Sequence, residues 1–192
     1  MPAIRYLARL RLVLAALLFS LSAHPAWAAV EVTFYSHEFG SSFPHAFIIV
    51  EGTLDRGGER ISEDYGFSAK TISPAILMGK VKGEVISDHD RNYVKGSNPH
   101  FTLKLSDAEY DSLIGTVQRW RALKQPSYDL GKRNCVHFVG ELAASLGMKA
   151  QAVKGLMKKP GSYLSRVTED NRAWLAARGA LFHRPAKAPA AG

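Results

Sequence analysis

Two periodicities divide the chain. Val30 to Tyr35 alternates as Val-Glu-Val-Thr-Phe-Tyr and His100 to Leu105 as His-Phe-Thr-Leu-Lys-Leu, the period-two pattern of half-buried strands. His45 to Val50 is nearly all apolar, which predicts a strand buried on both faces. Asp64 to Ser68 and Val81 to Ile86 predict two more strands. Helical spacing takes over at Tyr110, Leu113, Ile114, Val117, Trp120 and Leu123, introduced by a capping box of Ser106 and Glu109. It returns at Val136, Val139, Leu142, Ala143 and Leu146, with Gly147 placed to end that helix. Thr71 to Lys82 predicts a loop or a short helical turn. Met148 to Lys159 predicts a short helix interrupted at Gly155, and Glu169 to Phe182 a last one. The piece from Pro160 to Val167 has no clear assignment.

The two ends of the chain do not fit this pattern. Arg5, Arg9 and Arg11, the apolar run Leu12 to Leu21 and the small-x-small triplet Ala26-Trp27-Ala28 have the order of a secretory leader, expected to be cleaved after Ala28. The apolar run is shorter than the roughly 20 residues that a bilayer span needs. One domain is expected over residues 29–182, and the Pro- and Ala-rich residues 183–192 predict a disordered tail. Export to the periplasm or the exterior follows from the leader.

Charge adds little. The leader holds three of the 25 Lys and Arg residues and no acid, so the formal charge falls from +8 to +5 on cleavage. A surplus of that size, with no dense basic block, allows peripheral contact with anionic membranes or cell-wall polymers and gives no support for nucleic acid as a partner.

The chemistry centres on the single cysteine. Cys135 stands at the start of the helix that ends near Gly147, where unpaired N–H groups and the helix dipole favour an anion, and Lys132 and Arg133 precede it. These local features predict a thiol that ionises more easily than a free one. A single cysteine forms no internal disulfide, so its presence in an oxidising compartment suggests use, although burial would protect it equally well. Asn134 is suited to cap the helix, with a role at an oxyanion as the alternative.

The run Asn134-Cys135-Val136-His137-Phe138-Val139, with Tyr128 before it and Leu146-Gly147 after it, resembles the nucleophile segment of the circularly permuted, NlpC-type papain-like cysteine enzymes, which include the lecithin:retinol acyltransferase-like proteins. In that branch a histidine-bearing strand precedes the cysteine helix, and His45 in Phe43-Pro44-His45-Ala46-Phe47 holds the matching place. The resemblance implies an α+β fold, an antiparallel sheet packed against helices with Cys135 at a helix N-terminus. It also implies Cys135 as nucleophile, His45 as general base and a third polar group on the strand after the histidine. Tyr65 is the candidate for that group, with Glu63 and Ser68 behind it. The implied activity is peptide or amide hydrolysis, ester hydrolysis or acyl transfer, without a cofactor. Export favours a cell-envelope peptide or amide as substrate, with a lipid ester second, for an enzyme expected to act as a monomer. A non-catalytic envelope-binding module on the same scaffold is the alternative.

Other candidates are weaker. His137 lies two residues beyond Cys135, about 200° around a helix of 3.6 residues per turn, so the two side chains diverge. Asp88-His89-Asp90 lacks further ligands at metal spacing and is expected to be a solvated turn, so no metal is expected.

Overall fold

The computed structural model describes residues 30–38 and 43–184; the leader and residues 185–192 of the expected tail lie outside them, while His183, expected in that tail, donates its N–H to the His100 carbonyl at 3.0 Å. Six strands form one antiparallel sheet: β1 (Val30–His37), β2 (His45–Thr53), β3 (Arg60–Ala69), β4 (Gly83–Ile86), β5 (Asn98–Leu105) and β6 (Leu181–Phe182), in the order β4-β3-β2-β1-β5-β6. The helices are α1 (Ala75–Met78), α2 (Arg91–Lys95), α3 (Asp107–Arg121), α4 (Cys135–Ser145), α5 (Pro160–Asp170) and α6 (Arg172–Ala177). This is the α+β architecture expected, with Cys135 as the first residue of α4.

Strand alternation assigns each side chain to a face. Val30, Val32 and Phe34 of β1, Ala46, Ile48 and Val50 of β2, Tyr65 and Phe67 of β3, and Phe101, Leu103 and Leu105 of β5 form the buried core with Leu113 and Val117 of α3, Phe138 and Leu142 of α4, and Leu164 of α5. Phe34 stacks on Phe101 at 4.7 Å between ring centroids. The Ser106–Glu109 capping box opens α3 as predicted.

Two expected elements differ. Residues 148–159 are not helical: lysines at 149, 154, 158 and 159 leave little apolar face, and Gly155 takes a positive φ of 84°. The helix forms instead at α5, where Pro160 occupies the first turn and Tyr163, Leu164 and Val167 supply the buried stripe. The last predicted helix stops at Ala177; Gly179 turns with φ 68°, and Leu181 and Phe182 pair with Thr102 and Phe101 as β6.

The feature that shapes the site is a fork in the sheet. Strands β2 and β3 pair from Thr53 opposite Arg60 to Phe47 opposite Gly66, and there the ladder ends. Beyond it His45 and Ala46 pair only with β1, opposite His37 and Ser36, while Phe67 to Ala69 pair only with β4. The N-terminus of α4 enters at this fork.

Candidate functional site at the fork of the sheet

The Asn134 side chain accepts from the N–H groups of Val136 and His137 at 2.9 and 3.3 Å, and its amide donates to the carbonyls of Leu130 and Met157 at 2.8 and 2.7 Å. It therefore caps α4 and ties it to two loops. Its side-chain polar atoms are committed to this structural task. His137 completes the reciprocal cap, its Nδ1 accepting from the Asn134 N–H, so it serves the helix start.

Cys135 is buried, with 7% of its surface exposed. The backbone N–H groups of Ala46, Val136 and Cys135 lie close enough to the sulfur to favour its anion. Ala46 lies just past the end of the β2–β3 ladder, so its amide is available to the sulfur. The phenols of Tyr93 and Tyr128 lie close enough to feel its charge, and burial raises both above the ordinary phenol range. Tyr128 is held there by a backbone bridge to Val81.

The expectation of an easily ionised thiol is overturned. Burial pushes the Cys135 thiol up to about 11, and the three N–H groups offset only part of that. Desolvation outweighs the helix start because the sulfur lies under the sheet rather than at an open helix end.

His45 adjoins Ala46 in the chain but projects to the other face, alongside Phe47. The two rings stack at 6.2 Å, and His89 stacks on Phe47 at 4.4 Å and lies 5.6 Å from His45. Burial, then the nearby His89 and His37, bring His45 down to about 3, so its imidazole is neutral at ordinary pH. Its Nε2 is buried without a hydrogen-bond partner among the described residues. No hydrogen bond joins the Cys135 sulfur to an imidazole among the described residues; what links them is the Ala46 amide.

Tyr65 stands apart from His45. It alternates with Asp64 and Gly66 onto the helix side, where its hydroxyl donates to Glu63 at 2.8 Å and the Arg121 guanidinium lies 5.2 Å from its ring centroid. Tyr110 donates to the same Glu63 carboxylate at 3.2 Å, so Glu63 is also drawn toward the helices. A group that orients His45 must come from the other face.

The turn expected to be solvated behaves differently. The His89 side chain is only 6% exposed, its Nδ1 is hydrogen-bonded to Asp64, and its Nε2 is buried without a partner. His89 and Tyr93 roof the Phe47 end of the sheet, with Tyr93 stacked on His37 at 4.2 Å. No group of three or more metal-ligating side chains converges among the described residues. Two surface hollows border α5 and α6, and neither is lined by Cys135 or His45. No described helix is long and apolar enough to cross a membrane.

No family model, no curated protein and no solved structure matches the chain.

Proposed function

We propose that this chain is a cysteine-dependent amide or ester hydrolase, or an acyltransferase, of the permuted papain-like kind that its Asn134-Cys135-Val136-His137-Phe138 segment resembles. The observation that carries the proposal is the Cys135 sulfur at the start of α4 lying beside the Ala46 N–H of β2. It joins the start of a helix to the residue next to a half-buried, neutral histidine.

In this mechanism the thiol is neutral at rest and gives up its proton as it reacts. The sulfur adds to an acyl carbon and loses its proton to Nδ1 of His45, a free base at neutral pH, once the two groups, which stand on opposite faces of β2, are brought together at the fork. The N–H groups of Cys135 and Ala46, which lie beside the sulfur, stabilise the developing oxyanion in this proposal. The bond from the acyl carbon to nitrogen or oxygen then breaks, and the leaving group takes the proton from His45. Water, or a second acceptor in a transferase, attacks the thioester and returns the proton to sulfur through the same imidazole. A leader at residues 1–28 directs this activity to the cell envelope, where peptides or amides are the favoured substrates and lipid esters the second class.

The near-complete burial of Cys135 and its raised thiol value favour one other reading, a binding module in which the sulfur only packs. Purified mature protein incubated with muropeptides and, separately, with phospholipid vesicles, followed by mass spectrometry, separates the two. The enzyme releases a new amine or alcohol product that Cys135→Ala abolishes while the thermal midpoint stays nearly unchanged. Equal turnover by the variant ends the mechanism, and binding without turnover supports the module.

A further inference from the structure

On the side of the sheet opposite α3 and α4, two buried imidazole nitrogens, Nε2 of His45 and Nε2 of His89, have no hydrogen-bond partner among the described residues. They converge on one place. A Cβ built on Gly66 would collide with Nε2 of His45 and lie 3.2 Å from Nε2 and 3.1 Å from Cε1 of His89. Gly66 pairs with Phe47 at the last rung before the fork, on the same face as His45. The absence of a side chain at residue 66 is what lets the two rings approach one another. The two nitrogens are not hydrogen-bonded to one another in this structure, but a buried nitrogen left unpaired costs on the order of 1–3 kcal/mol, so a small movement into the shared hollow that pairs them is favoured.

The chemistry of His89 fixes the direction of that contact. Asp64 lies two residues before Gly66 on β3 and therefore on the same face. Its carboxylate accepts a hydrogen bond from His89 Nδ1–H, and it also accepts from the His89 backbone N–H at 3.3 Å to each oxygen. With Nδ1 protonated, a neutral His89 carries its lone pair on Nε2. That lone pair borders the same space beside Gly66 as Nε2 of His45.

We infer that Asp64 and His89 are positioning residues that set the tautomer of His45: Asp64 holds the proton on Nδ1 of His89, whose Nε2 accepts Nε2–H of His45 and leaves Nδ1 of His45 as the basic nitrogen. The third polar group that the resemblance sought on β3 is thus supplied by the segment after β4, backed by a carboxylate from β3, with a glycine where the side chain would stand. The catalytic consequence rests on the proposed thiol chemistry, but the tautomer does not.

Long-range nitrogen–proton correlation spectra of uniformly ¹⁵N-labelled protein at pH 7 read the two ring nitrogens of His45 directly. The expected wild-type pattern is a protonated Nε2 and an unprotonated Nδ1. Asp64→Asn and His89→Ala should convert it to a tautomer mixture or to the Nδ1–H form. Gly66→Ala, which drives a methyl group into the hollow, should do the same if either of the others fails to fold. A His45 that is Nδ1-protonated in wild type, or a tautomer unchanged in a folded variant, overturns the inference. In parallel, acetylation of Cys135 by p-nitrophenyl acetate should slow about 10²-fold or more in Asp64→Asn and His89→Ala, within the range of a general-base contribution. Failure of wild type to acetylate while the tautomer responds as expected counts against the thiol chemistry and leaves the positioning role standing.

Discussion

On the helix side, the sheet presents Phe34, Ile48, Val50, Phe101 and Leu103, all completely buried. On the other side, the same strands carry Thr33 and Ile49 half-buried and Glu31 and Glu51 exposed, and the end around Phe47 is roofed by His89 and Tyr93. The first surface is a general apolar core. The second is mostly open and closes over a small group of imidazoles. Stability therefore resides mainly in the first, while the groups able to move protons gather in the second. The fork between β2 and β3 is where Cys135 of the helix layer meets the sheet end that bears His45.

Removing a large core ring should have the greatest effect on stability. Phe34→Ala deletes a fully buried aromatic stacked on Phe101 and should lower unfolding free energy by about 3–5 kcal/mol in urea titrations. A loss below about 1 kcal/mol would mean that the helix side is not the principal core.

Acid tests the buried histidines on both sides. His45 and His100 have native values near 3 and 4, both below the ordinary 6.5, with burial the largest cause in each case. A lowered histidine makes the unfolded state the better proton binder. Stability is therefore fully present above about pH 6.5 and falls as pH drops toward the native values. The expected loss between pH 7 and 4.5 is about 5 kcal/mol for the two together, read from denaturant midpoints. On the alkaline side the raised Cys135 thiol acts in the opposite sense: the unfolded thiol ionises first, and stability declines from about pH 9 toward 11. A flat profile below pH 6.5 would contradict the burial of these imidazoles.

Asn134→Ala removes the cap of α4 and the donors to Leu130 and Met157, with an expected cost of about 1–2 kcal/mol. Smallest of all is Lys104→Ala on the open face. Its ammonium is 3.9 Å from Glu31 and well exposed, and its loss should change stability by less than about 0.5 kcal/mol in the same titration.

Most strands were legible because each alternates or runs apolar within a few residues, and α3 and α4 because their caps and apolar stripes are local. The α5 helix carried the same signals in Tyr163, Leu164 and Val167 behind a Pro at the first turn, but its short polar-rich run hid them. The site was legible only where chemistry is local: Cys135 at a helix start, with Asn134 before it. The raised thiol value depends on the sheet lying over the sulfur, which no neighbour in sequence reveals. Ser87-Asp88-His89-Asp90 has the composition of a solvated turn, and His89 becomes a buried group only when its segment folds across Phe47. Tyr65 was a position argument, and one step along a strand is enough to change faces.

The central claim is a reaction at sulfur assisted by His45, and acylation of Cys135 tests it most directly. Wild-type protein and His45→Ala would be treated with p-nitrophenyl acetate at pH 7, and acetyl on Cys135 followed over time by mass spectrometry. The account predicts stoichiometric acetyl-Cys135 in wild type and a rate at least about 10²-fold lower in the variant. A wild-type thiol that stays unmodified until the protein is denatured, or equal rates in the two proteins, would contradict it.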